Sequence, residues 1–86
     1  MANCQIEFRR SAEKDLERID AQILPRLITA IHGLATDPFP VGFRKLVGGE
    51  EMYRIRVGDY RVIYRFNTDK RVVTIERVRH RREVYR

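Results

Sequence analysis

Arginines placed by strand period, rather than any nucleophile or metal ligand, are the groups in this chain best suited to chemistry. In Tyr53-Arg54-Ile55-Arg56-Val57-Gly58-Asp59-Tyr60-Arg61-Val62-Ile63-Tyr64-Arg65-Phe66, polar and apolar residues alternate on both sides of Gly58-Asp59. Side chains alternate across a strand, so Arg54 and Arg56 share one face, and a two-residue turn sets Arg56 opposite Arg61. Like charges directly opposed on a ladder are destabilising, and guanidinium groups held this way imply an anion between them. Arginine stays protonated in proteins (pKa above about 12) and is a poor acid or base. Its strength is to clamp phosphate and to stabilise a charged transition state. Proton transfer would fall to Tyr85 or His80, the groups near the basic strands with an accessible pKa; an arginine field lowers a tyrosine pKa by favouring phenolate.

Other chemistries find little support. His32 and His80 are far apart and no carboxylate–histidine spacing suits a metal. Gly48-Gly49 lacks the lysine and helix of a phosphate loop. Ser11 is better used as a helix cap than as a nucleophile. Cys4, the only cysteine, reads as a half-buried strand residue. His32 falls on the polar side of a helix with Thr29 and Thr36, and Tyr53, Tyr60 and Tyr64 fall on a core face as packing residues.

The elements that position the arginines follow from periodicity. The Gly58-Asp59 turn suits a tight hairpin and pairs Val57 with Tyr60, Ile55 with Val62 and Arg54 with Ile63. One face then carries Tyr53, Ile55, Val57, Tyr60, Val62, Tyr64 and Phe66 as core; the other carries Arg54, Arg56, Arg61, Ile63 and Arg65. Upstream, Gln5 to Phe8, with Cys4, reads as a short strand. Ser11 is expected to cap a short helix with Ala12, Leu16 and Ile19 on its apolar stripe. Asp20 is expected to cap a second helix, striped by Ile23, Leu24, Leu27, Ile28, Ile31, Leu34 and Ala35, that begins near residues 21–24 or bends at Pro25. Thr36-Asp37-Pro38 ends it. Phe39 to Gly49 is a loop that Leu46 would anchor to the core. Asn67-Thr68-Asp69-Lys70 is a turn, and Arg71 to Val78 a last strand with Val73 and Ile75 inward. Phe66 opposite Arg71 would set Arg61 opposite Glu76, as an orienting partner or a plain ion pair. A basic tail, Arg79 to Arg86, follows. The order β-α-α-β-β-β describes an α+β fold: an N-terminal strand, a two-helix hairpin and a three-stranded antiparallel meander, with both helices on one sheet face.

Eighty-six residues make one domain, 1–86, able to bury a modest core without staples. With 43% hydrophobic and 35% charged residues the chain is globular. Its net charge of +6 is concentrated: residues 1–48 hold seven Lys/Arg against six Asp/Glu, and residues 49–86 hold eleven against six. The β-rich half is thus the basic half, which favours a nucleic-acid partner. A charged leader with an apolar run is absent and no segment approaches membrane-spanning length, so a cytoplasmic protein is expected.

The blocks Tyr-Arg-Ile-Arg-Val (53–57), Tyr-Arg-Val-Ile-Tyr (60–64) and His-Arg-Arg-Glu-Val-Tyr (80–85) occur in one order. With Lys45-Leu46-Val47-Gly48 and the Phe8-Arg9-Arg10-Ser11-Ala12 entry, they resemble the RelE family of the RelE/ParE toxin–antitoxin superfamily over nearly the whole chain. The resemblance implies a RelE-like fold and a ribosome-dependent messenger-RNA interferase that cuts the codon in the ribosomal A site. The 2′-hydroxyl would attack the neighbouring phosphodiester without metal or other cofactor. It assigns catalysis to Arg54, Arg56, Arg61, Arg81 and Tyr85, and RNA contact to Lys45, Arg65, Arg79, His80 and Arg82. Arg54 and Arg56 stand where the best-known members have lysines, so proton transfer is not assigned to them. Implied partners are a cognate antitoxin protein, the ribosome and its mRNA, with operator DNA for the toxin–antitoxin complex and no membrane. The alternative within the superfamily is a ParE-like toxin that inhibits DNA gyrase without cutting RNA.

Overall fold

A computed structural model describes residues 3–48 and 51–84. Their elements are β1 (Gln5–Phe8), α1 (Arg10–Glu17), α2 (Leu24–Thr36), β2 (Arg44–Lys45), β3 (Met52–Val57), β4 (Tyr60–Asn67), β5 (Val72–His80) and α3 (Arg81–Val84). The strands form one sheet in the order β1-β5-β4-β3-β2, with β1 parallel to β5 and the other pairs antiparallel. The three-stranded meander is therefore extended to five strands: β1 on one flank and β2, read from the sequence as loop, on the other.

The β3–β4 hairpin has the register that its turn dictates, with Arg56 opposite Arg61 and Arg54 opposite Ile63. Gly58 adopts φ +59°, the left-handed conformation that the first turn residue requires. Its inward side chains join the core: Val62 and Tyr64 are fully buried, and Ile55, Val57 and Phe66 nearly so. Leu27, Ile31 and Leu34 of α2 and Ala12 of α1 close the core from the helical side.

The β4–β5 register differs from expectation in two ways. The turn runs on through Arg71, at φ +55°, so Phe66 faces Val73 rather than Arg71. A bulge at Glu76, between the pairs Tyr64–Ile75 and Ile63–Arg77, then adds one residue, and Arg61 faces Arg79 rather than Glu76. The cause lies in residue spacing. Ile75 and Val78 are three apart, and a strict two-residue period would send Val78 outward and Arg77 and Arg79 into the core. One extra residue reverses the phase: Val78 is 4% exposed, and both arginines share the face of their partners on β4.

Past the end of β1, the free edge of β5 is covered by α1. The Ser11 hydroxyl donates to the Glu76 carbonyl at 2.8 Å, and the Val78 N–H donates to Asp15 Oδ2 at 2.9 Å. Ser11 is therefore not the N-cap. Arg9 occupies that position without a side-chain cap, and Ser11 and Asp15, one turn apart, serve as surrogate strand partners. Asp15 also accepts from Arg77 Nε at 2.9 Å and from its terminal NH2 at 3.1 Å. Burial alone would raise the Asp15 pKa. The Arg77 hydrogen bonds, the Val78 N–H and the charges of Arg77 and Arg79 outweigh it and hold the carboxyl below its usual value. A depressed folded-state pKa gives stability that is present above the unfolded value and is lost as pH falls through the folded one. Asp15→Asn is accordingly expected to cost about 2 kcal/mol near neutrality. Urea unfolding should show this cost shrinking towards pH 3; a cost that does not change with pH would remove Asp15 from this role.

Asp20 shapes the entry to α2 from outside the helix. Its Oδ1 accepts the Gln22 N–H at 2.9 Å, and its carbonyl accepts from Ile23 and Leu24, both at 3.1 Å. With α2 starting at Leu24, Pro25 lies in the first turn, where its missing N–H breaks no bond. The 39–48 loop is anchored by aromatics rather than by the half-buried Leu46. The Phe39 ring lies 5.0 Å from Tyr53, 5.1 Å from Phe43 and 5.5 Å from Phe66. The Tyr64 hydroxyl adds a bond to the Pro38 carbonyl at 2.6 Å, and burial pushes its pKa up. Among the described residues no helix is long and apolar enough to cross a membrane.

Candidate functional site

The sheet face turned away from the helices carries an ordered array of guanidinium groups. Arg56, Arg61 and Arg79 occupy matching positions on β3, β4 and β5, a row three strands wide. One rung away, Arg44, Arg54, Ile63 and Arg77 make a second row across β2 to β5, in which the Arg77 guanidinium is held by Asp15 of α1. Neighbouring strands are about 4.8 Å apart, so adjacent guanidinium stems in a row are separated by about that distance. Repulsion between two such charges is of order 1 kcal/mol in a water-like dielectric. A phosphate group placed among them reverses the sign of that contribution.

The C-terminal end of β5 completes a cleft. Arg81 opens α3, and its N–H donates to the Asp59 carbonyl at 2.7 Å, which fastens the segment to the hairpin turn. Its guanidinium lies 3.8 Å from Asp59 Oδ1, and both side chains are exposed, so this contact orients weakly. Between them, Arg56, Tyr60, Arg61 and Arg81, with the Gly58-Asp59 turn, line a cleft of about 190 Å³. Three arginines at one small opening can engage both non-bridging oxygens of a phosphodiester and neutralise charge that builds there during reaction.

The other residues singled out in the sequence are distributed differently. Arg54 lies on the same face, one rung from Arg56. Arg79 joins the row itself, through the bulge. Arg65 lies four residues along β4 from Arg61, roughly 13 Å away, and pairs with Glu76 at 3.3 Å. Glu76 also takes Arg9 at 3.1 Å, so its carboxylate serves the far end of the face and not Arg61. His80 pairs with Tyr60 on the helix side, its ring edge-on to that tyrosine at 5.2 Å, and its Nδ1 accepts the Arg82 N–H at 3.2 Å. Arg82 is exposed beside Arg81. Lys45 is exposed on the edge strand opposite Tyr53, and therefore on the helix side. Tyr85 lies outside the described residues.

Arg44 and Arg77 were not foreseen as members of the basic face. Arg44 is placed there by pairing with Arg54, and the two-residue β2 is too short to show a period. The signal for Arg77 was present in the three-residue interval between Ile75 and Val78.

Comparison with known proteins agrees with this architecture. A family model described as ParE toxin of type II toxin-antitoxin system, parDE, matches residues 6–85. Toxin RelG of Mycobacterium tuberculosis is 32% identical over 84 residues, covering 94% of each chain. The RelE chain of the archaeal RelE–RelB complex from Pyrococcus horikoshii superimposes with a TM-score of 0.81 at 27% identity, over 92% of this chain and 96% of that one. A chain of the RelBE2 toxin–antitoxin complex of M. tuberculosis gives 0.80 at 25% identity, over 91% and 98%. Whole-length matches in sequence and fold, on a scaffold whose open face carries the arginine rows, place the chain in the RelE family of the RelE/ParE superfamily, as the toxin of a type II toxin–antitoxin system.

Proposed function

We propose that this toxin is a ribosome-dependent endoribonuclease that cuts messenger RNA in the A site. The observation that carries the reading is the row Arg56–Arg61–Arg79, with Arg81 closing the cleft beside it. In the proposed reaction the 2′-oxygen of one nucleotide loses its proton and attacks the adjacent phosphorus. The bond from phosphorus to the 5′-oxygen of the next nucleotide breaks, leaving a 2′,3′-cyclic phosphate and a 5′-hydroxyl that takes up a proton. Arg56, Arg61 and Arg79 hold the non-bridging oxygens and offset their added negative charge, and Arg81 brings a further cation to the cleft mouth. Arg54 extends the track for the neighbouring phosphate. Proton removal is assigned to Tyr85, because His80 points to the helix side with its Nδ1 already engaged.

Support for RNA as the target also comes from the relatives, which carry the names RelE and RelG. The P. horikoshii relative is a complex with RelB, and a cognate antitoxin is proposed here as well: an extended, acidic-leaning segment that folds on binding and covers the arginine face or displaces the tail. Operator DNA is proposed as a ligand of that complex, and the cytoplasm as its location. The family description naming ParE favours one rival reading, inhibition of DNA gyrase without RNA cleavage. Primer extension on messenger RNA after induced expression separates the two. New 5′ ends within codons, in frame, are expected; intact transcripts alongside relaxed plasmid DNA would favour the rival.

A further inference from the structure

A second opening adjoins the arginine cleft across the hairpin tip. Gly58, Asp59 and Tyr60 belong to both, and the new groove continues to the helix side between Asp20, Gln22 and Arg26 at the start of α2 and His80 at the end of β5. The close approach of α2 to the tip forms it: a Cβ added at Gly58 would lie 3.5 Å from Ile23 and 3.9 Å from the Arg26 guanidinium. Its volume is about 510 Å³.

The lining of this groove is chemically unlike that of the cleft. The arginine cleft suits a phosphate. The groove instead sets Asp20 and Asp59 against Arg26, with Gln22 and the rings of Tyr60 and His80 also in its lining. Two carboxylates disfavour a phosphate, but with arginine and glutamine they match the mixed donor and acceptor edge of a nucleobase, and the aromatic rings and Ile23 offer apolar surface to its plane. Asp20 spends one oxygen on the Gln22 N–H, which holds the turn in place and leaves its other oxygen for a donor. Because the two openings share the hairpin tip, a phosphate on the arginine row and a base in the groove would belong to one short stretch of strand.

We infer that this groove receives a nucleobase of the cleaved codon, and that Asp20, Gln22 and Arg26 set base preference. The inference deepens the RNA-cleaving reading and rests on it. The test uses ribosomes programmed with messages whose A-site codon is randomised, cut by the wild type, Arg26→Ala and Asp20→Asn. Asn keeps an oxygen for the Gln22 N–H, so Asp20→Asn preserves the turn if Arg26→Ala should disturb it. The readout is the distribution of cuts among the four bases, normalised to the total cutting of each variant. The relative use of the four bases at one codon position should shift by about tenfold, the discrimination that one well-made base contact supplies. A wild type that cuts without base preference, or variants that cut with the wild-type pattern, would overturn the groove assignment alone. So would variants that change only neutralisation by the antitoxin, which would mark the groove as a protein-binding surface. No cutting by the wild type would overturn the RNA-cleaving reading as well.

Discussion

Replacing Arg61 with alanine is expected to abolish growth inhibition while leaving the fold intact. Arg61 is the middle member of the row, flanked by Arg56 on one side and Arg79 on the other. Its removal takes the central cation from any bound phosphate and should slow cleavage by 10²-fold or more, the scale seen when one preorganised donor to a developing oxyanion is lost (about 2.7–4 kcal/mol). Stability should move the other way or not at all. Two like-charge neighbours are relieved, and the apolar core lies on the opposite face of β4. The same substitution at Arg56 should behave similarly, with a smaller gain in stability because Arg56 has one like-charged neighbour in its row. Growth assays with thermal melts on the same variants check both halves. A variant that melts well below the wild type yet remains toxic would reassign Arg61 to structure.

Tyr85→Phe is expected to separate chemistry from binding. If Tyr85 removes the 2′-hydroxyl proton, losing its oxygen should slow single-turnover cutting on programmed ribosomes by roughly 10²-fold, within the range for general acid–base catalysis. Ribosome affinity should change little, because the proposal assigns binding to the arginines. A general base must be deprotonated to act, so the wild-type rate should carry a limb that rises with pH and that the Phe variant lacks. Full activity in Tyr85→Phe would move proton transfer elsewhere, with His80→Ala the next variant to measure.

The part of the site that lies within the hairpin was legible in the sequence. A two-residue turn leaves one register, and a strict period of two leaves one assignment of faces, so Arg54, Arg56 and Arg61 fall where the pattern puts them. Legibility ended at β5. Its register depends on a longer turn through Arg71 and a bulge at Glu76, neither fixed by local propensity. The bulge is forced by the demand to bury Val78 and keep Arg77 and Arg79 out of the core, a tertiary demand visible only as the interval between Ile75 and Val78. Glu76 was lost as a partner of Arg61 for that reason, and Arg79 was gained. Ser11 shows the same limit in a helix. A serine near a helix start reads as a cap, but the unpaired edge of β5 was the stronger competitor for its hydroxyl, and an edge exists only once the sheet does. Arg44 followed from β2, whose two residues cannot display a period.

On the proposed reading the arginine rows hold a phosphate, but they do not align a 2′-hydroxyl for in-line attack. The described cleft is small and open, and its cations are poor proton carriers. Alignment is therefore assigned to the decoding site, which would hold the codon bent for attack, a contribution of several kcal/mol in positioning. The most direct measurement is single-turnover cleavage of one message, free in solution and bound to ribosomes with a vacant A site, with the chemistry of the new ends determined. The expected result is fast cutting within the A-site codon only on the ribosome, leaving a 2′,3′-cyclic phosphate and a 5′-hydroxyl. Equal cutting of the free message, or an intact message on the ribosome under the same conditions, would contradict it.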